Sequence, residues 1–123
     1  MMNNFIPSIT TDDIRKALDA VGVELHYMGY EMLVAALERA CEDPQRLLRL
    51  RDEIYQPIAL REGCNASMVE RRIRIAIRGV WNYTPDKILR LFDSIAIHRA
   101  PTNSQFLSRM VRFIKENSKN NEH

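Results

Sequence analysis

At 123 residues, with 46% hydrophobic and 28% charged residues, the chain holds the material for one globular core and too little for two ordinary domains. A net charge of +2 excludes a polycation, so any nucleic-acid surface has to arise from local sorting of charge. No apolar run approaches the roughly 20 residues that cross a bilayer, and no signal-peptide pattern opens the chain, so a cytoplasmic protein with no membrane partner is expected.

In chain order, residues 1–10 are expected to be flexible. Thr10 or Thr11 can cap a first helix whose Asp12 and Asp13 favour the positive end of its dipole, with Ile14, Leu18 and Val21 on one side and Gly22 at its end. A second helix runs from Tyr30, just after Gly29, to about Glu42, with Leu33, Val34, Leu37, Ala40 and Cys41 on a single stripe. Asp43-Pro44 stops it and starts a short piece with apolar Leu47, Leu48 and Leu50. The segment Glu53 to Glu62 follows; Pro57 costs about 3 kcal/mol in a helix interior, so that helix is expected to begin near Gln56.

Gly63-Cys64-Asn65-Ala66 then forms a short turn, Gly63 being suited to a left-handed helix end. Ser67 is the expected N-cap of the next helix, and Glu70 three residues later would complete a capping box. Val69, Ile73, Ala76, Ile77, Val80 and Trp81 make its apolar stripe, while Glu70, Arg71, Arg74 and Arg78 lie off it. Two helices joined by a tight glycine-bearing turn, the second with an arginine face, read as a helix-turn-helix. Tyr83-Thr84-Pro85-Asp86 opens a further helix through Phe92, and Ser94 to Ala100 is expected to be an extended connector. Pro101-Thr102-Asn103-Ser104 launches the last helix, with Phe106, Leu107, Met110, Val111, Phe113 and Ile114 on its apolar side; residues 116–123 are expected to be a disordered polar tail. The expected fold is all-α, with six to seven helices over residues 11–115.

Little in the sequence supports catalysis. His26, His98 and His123 are scattered without metal-ligand spacing, and neither GxxxxGK[ST] nor GxGxxG occurs, so no metal, no cofactor and no enzyme activity are expected. Cys41 lies on an apolar stripe as a structural thiol, Cys64 has no activating neighbour, and both are expected to be reduced. The segment from Ser67 to Trp81 does sort charge, holding Arg71, Arg72, Arg74 and Arg78 against a single Glu70. As a bland alternative this is a solvated face with an ordinary Glu70–Arg74 pair. As a DNA surface, Arg71 would clamp guanine O6 and N7, Glu70 would accept from cytosine N4, and Arg74 and Arg78 would meet phosphates. RNA is a poorer fit, since aromatic platforms for unstacked bases are missing.

The runs Ala66-Ser67-Met68-Val69-Glu70-Arg71-Arg72-Ile73-Arg74-Ile75-Ala76-Ile77 and Pro101-Thr102-Asn103-Ser104-Gln105-Phe106 resemble the C-terminal DNA-binding domain of the sporulation stage-zero response regulator family. The likeness extends from about Thr11 to Ile114. It implies a six-helix effector domain that binds a short GC-centred promoter box, pairs on tandem boxes, and regulates early sporulation genes. Glu70 and Arg71 match base-reading positions of that family, and Arg74 matches a backbone position. Ser67 and Met68 fall in the same DNA-facing segment, Met68 standing where the family usually has a base-reading arginine. Thr84 to Phe92, with Lys87, Arg90 and Phe92, resembles the family's surface for the main sigma subunit of RNA polymerase, although it is a residue shorter and Pro85 is foreign to it. The family's receiver domain finds no room in 123 residues. The competing expectation is a module that does not bind DNA and instead pairs with, and titrates, a full-length regulator or the polymerase.

Overall fold

The computed structural model describes residues 8–92 and 98–120, and six α-helices with no strand are found among them. They are α1 (Thr11–Ala20), α2 (Tyr30–Glu42), α3 (Gln56–Glu62), α4 (Ala66–Tyr83), α5 (Pro85–Phe92) and α6 (Asn103–Asn120). The segments expected to be flexible or disordered lie partly outside the described residues, namely 1–7 and 121–123, as does most of the expected connector, 93–97.

α1 begins where two orphan backbone groups can be satisfied reciprocally. The Thr10 hydroxyl accepts from the Asp13 N–H at 3.1 Å, and the Thr10 N–H donates to the Asp13 carboxylate at 2.9 Å. α2 is the centre of the domain. Tyr30, the run from Met32 to Leu37, and Ala40 are all buried, because α1, α4, α6 and the irregular turns after α2 cover it on nearly every side. α5 closes the molecule against α4 and α6.

Between α2 and α3 the chain is helical but irregular. A 3₁₀ segment, Pro44–Arg49, starts on Asp43, whose side chain accepts from the Gln45 N–H at 3.1 Å. A π-type turn, Leu50–Tyr55, follows. Its cause is Pro57, which has no N–H to offer the Glu53 carbonyl four residues back. Arg39 Nε supplies a donor instead, at 2.8 Å from that oxygen. The proline therefore marks the start of α3 and ties α2 to the turn before it.

Two expectations change. α6 continues through residues 116–120, which were expected to be a tail, because Arg112 and Glu116 can pair along its surface (3.5 Å) and no proline or glycine intervenes. Leu48 projects into solvent at 84% exposure, so that part of the apolar 3₁₀ segment does not contribute to the core.

α2 and α4 meet at Gly29. A Cβ added there would lie 2.2 Å from the Arg72 carbonyl oxygen and 2.8 Å from its carbon. The obstacle is helix backbone, which cannot rotate aside, although the Gly29 backbone angles (φ −86°, ψ 3°) suit any residue. Gly63 is the opposite case: its surroundings are open, and its φ of +72° makes a side chain costly. Gly29→Ala is expected to lower unfolding free energy by about 2 kcal/mol or more through overpacking. Gly63→Ala should cost about 1–2 kcal/mol through conformational strain alone. Urea titrations of the two variants measure both.

Candidate nucleic-acid interface

α3 and α4 are joined by Gly63, Cys64 and Asn65. Gly63 turns the chain in the left-handed region and the Cys64 N–H closes back onto the Ala59 carbonyl at 3.0 Å. Asn65 is extended (φ −114°, ψ 164°), and its side-chain oxygen accepts from the Met68 N–H at 2.9 Å. Asn65 is therefore the N-cap of α4, and the cap expected at Ser67 does not form. Starting the helix at Ala66 lets that residue bury at 2% exposure beneath the turn, and leaves Ser67 helical and exposed. Glu70 is thereby released from the capping box expected of it.

At about 3.6 residues per turn, Ala66, Val69, Ile73, Ala76, Ile77 and Val80 fall on one side of α4, and all are buried. Trp81 continues this side half-buried against the core. Ser67, Met68, Arg71, Arg74, Ile75 and Arg78 share the opposite half, and Glu70 lies at its edge, half-buried between the positions of Ile77 and Trp81. Arg71, Arg78 and Ser67 are exposed there, with Met68 at 39% and Ile75 at 48%. The sequence-derived face is thus brought together on one side of one rigid helix. Arg72 lies at its margin, half-buried where its carbonyl meets Gly29.

The charges on this face are not equivalent. Among the described residues, Arg71 and Arg78 make no salt bridge, while Arg74 Nε lies 3.0 Å from Glu70 Oε2. Both side chains of that pair are more than a third exposed, so it contributes only about 0.3–0.5 kcal/mol and can open readily when a ligand arrives. Glu70 has a second partner. The buried Asn103 amide nitrogen donates to the Glu70 carbonyl at 3.0 Å and to the Tyr55 hydroxyl at 3.1 Å, and approaches Glu70 Oε2 at 3.5 Å. Burial raises the Tyr55 pKa while the Asn103 hydrogen bond lowers it, leaving a neutral hydroxyl at ordinary pH.

On α5, Lys87 and Arg90 are exposed, as a protein-contact surface requires. Phe92 is not: it is 8% exposed, and the Arg109 guanidinium of α6 lies 5.5 Å from its ring centroid. The strong amphipathic turn of α5 places Phe92 with Ile88 and Leu91 toward the core, so the contact expected of it is withdrawn. A groove beside this helix, lined by Asp19, Glu24, His26, Tyr27, Tyr83 and Lys87 among others, mixes acids and bases without a nucleophile. The Cys41 thiol is pushed up to about 11 by burial, which keeps it protonated and unreactive at neutral pH. Among the described residues no three His, Cys, Asp or Glu side chains gather as a metal site, and no helix is long and apolar enough to cross a membrane.

Three residues of this region escaped the sequence reading: Asn65, Tyr55 and Asn103. An Asn two residues ahead of Ser67 was a visible competitor for the cap. Nothing local marks Asn103 as a partner of a residue 33 positions earlier.

A family model described as sporulation initiation factor Spo0A C terminal matches residues 14–114, from the first buried residue of α1 to the last apolar residue of α6.

Asn65→Ala is expected to destabilise the domain by about 1 kcal/mol, whereas Ser67→Ala should change stability by less than about 0.5 kcal/mol. Thermal unfolding of the pair separates the two starts of α4; equal losses would contradict the Asn65 cap.

Proposed function

Since the chain belongs to the Spo0A C-terminal family, whose members have a DNA-binding effector role in the regulation of sporulation transcription, we propose that it is a sequence-specific regulator that reads a promoter box with the outer face of α4. The observation that carries this reading is Arg71: exposed, without a salt bridge among the described residues, in the first turns of the helix and beside Glu70. A guanidinium held there can reach guanine O6 and N7 together, while the Glu70 carboxylate accepts from a cytosine amino group. Ser67 and Met68 flank the same end of the helix. Arg74 and Arg78, further along, meet phosphates and set the register.

Pairing of two domains on tandem boxes, and contact of Lys87 and Arg90 with the polymerase sigma subunit, belong to the same proposal, as does action in the cytoplasm, where that DNA lies. The exposed apolar atoms of Met68 and Ile75 favour, as the second reading, a face that binds another protein.

Fluorescence anisotropy against random and GC-centred duplexes at two salt concentrations tests the choice. Arg71→Ala is expected to cost about 1–3 kcal/mol on the preferred duplex and to flatten its base preference. Arg78→Ala should weaken all duplexes alike and lower the log–log salt slope by about one. No duplex binding at either salt concentration, together with a stable complex with a full-length regulator, would establish the protein-binding reading instead.

A further inference from the structure

α6 begins at Asn103 on a well-made cap: the Thr102 hydroxyl accepts from the Gln105 N–H at 3.1 Å, and Gln105 Oε1 accepts from the Thr102 N–H at 2.9 Å. That cap delivers one amide to the place where α4, α6 and the π-type turn converge. Asn103 is only 7% exposed, and its Nδ2 faces the Glu70 carbonyl (3.0 Å) and the Tyr55 hydroxyl (3.1 Å), with Glu70 Oε2 at 3.5 Å.

Satisfaction of the backbone does not account for this amide. The Glu70 carbonyl lies inside α4, where the N–H four residues on already serves it. Asn103 Oδ1 is buried with no partner among the described residues, so leucine and phenylalanine in place of Asn103 and Tyr55 would leave fewer unmet groups. What the amide does accomplish is local. The 3.0 Å contact fixes the peptide from which the Glu70 side chain departs. The longer 3.5 Å contact, together with Arg74 Nε at 3.0 Å, occupies Oε2. Oε1 has only Arg74 Nη2, at 3.5 Å. Oε2 is thus held by two donors and Oε1 by a single longer contact.

We propose that Asn103 is a positioning residue for base selection: through its amide, braced by Tyr55, it presents Glu70 to the duplex in one orientation. The proposal rests on the reading of Glu70 as a base-contacting residue. A glutamate that arrives ordered loses less side-chain freedom on binding and discriminates more sharply for it. Asn103 touches no DNA itself.

The experiment uses the intact chain and a duplex enriched on it from a random pool. The base pair facing Glu70 is located as the one whose preference Glu70→Ala abolishes. Asn103→Leu combined with Tyr55→Phe removes amide and hydroxyl together, leaving no new unpaired polar group, and folding is checked by thermal unfolding. Preference at that base pair is expected to fall about three- to tenfold with the salt slope unchanged, and preference at the other base pairs of the site by less than about twofold. Asn103→Asp, similar in size but presenting an acceptor to the Glu70 carbonyl, should produce the same loss. An unchanged preference there, or an equal loss at every base pair of the site, overturns the positioning role while leaving base reading intact. If Glu70→Ala abolishes no preference anywhere, base reading by Glu70 fails and the positioning role fails with it.

Discussion

The approach of α2 to α4 at Gly29 constrains the whole domain. With no side chain there, the start of α2 comes down on the Arg72 carbonyl, and the two helices meet backbone to backbone rather than side chain to side chain. Ala76, whose Cβ would lie 3.3 Å from a side chain at Gly29, is buried at this contact. Such proximity also fixes the rotation of α4. If the helices were held apart, the inner stripe of α4 could turn to find other neighbours, and the outer half would turn with it. The orientation of Arg71 toward solvent is therefore a consequence of packing on the far side of the same helix.

Those features that follow from spacing within one helix were legible in the sequence. Val69, Ile73, Ala76, Ile77 and Val80 recur at helical intervals, and so do Phe106, Leu107, Met110 and Ile114; each set is buried as its period demands. Pro57 and Gly63 act through covalent geometry, which needs no knowledge of the rest of the chain, and both mark boundaries where expected. Features decided by competition were not legible. Ser67 and Asn65 are both good caps, and the burial of Ala66 selects between them. Phe92 could as well have been a surface aromatic until α6 supplied Arg109 and a core to receive it. The Asn103–Glu70 contact joins two segments far apart in sequence, and no local pattern encodes it.

Charge on the outer half of α4 is organised in two tiers. Arg71 and Arg78 stand without ion pairs among the described residues, so their desolvation on meeting an anionic partner is met by new contacts rather than by loss of old ones. Glu70 and Arg74 are committed to each other by an exposed i, i+4 pair of small energy. An unpaired glutamate at the edge of this face would repel a phosphate backbone. Drawing Arg74 across it reduces that repulsion while leaving part of the carboxylate open. A chain with a net charge of +2 can in this way offer a cationic surface without being basic throughout.

The same site shows where stability and selectivity pull apart. A buried acceptor left unpaired, as Asn103 Oδ1 is among the described residues, costs about 1–3 kcal/mol. Against a typical domain stability of about 5–15 kcal/mol, that is a substantial fraction. Leucine at this position, together with phenylalanine in place of Tyr55, would avoid the penalty without stranding the Tyr55 hydroxyl. A fold optimised for stability alone therefore gains nothing from an amide here. The amide becomes intelligible once the orientation of Glu70 matters, because only a donor at this point can reach the peptide and the carboxylate of the same residue. Local breaks with the rules of good packing tend to gather at working parts of proteins. Here the break lies one layer beneath the helix face that the charge pattern marks.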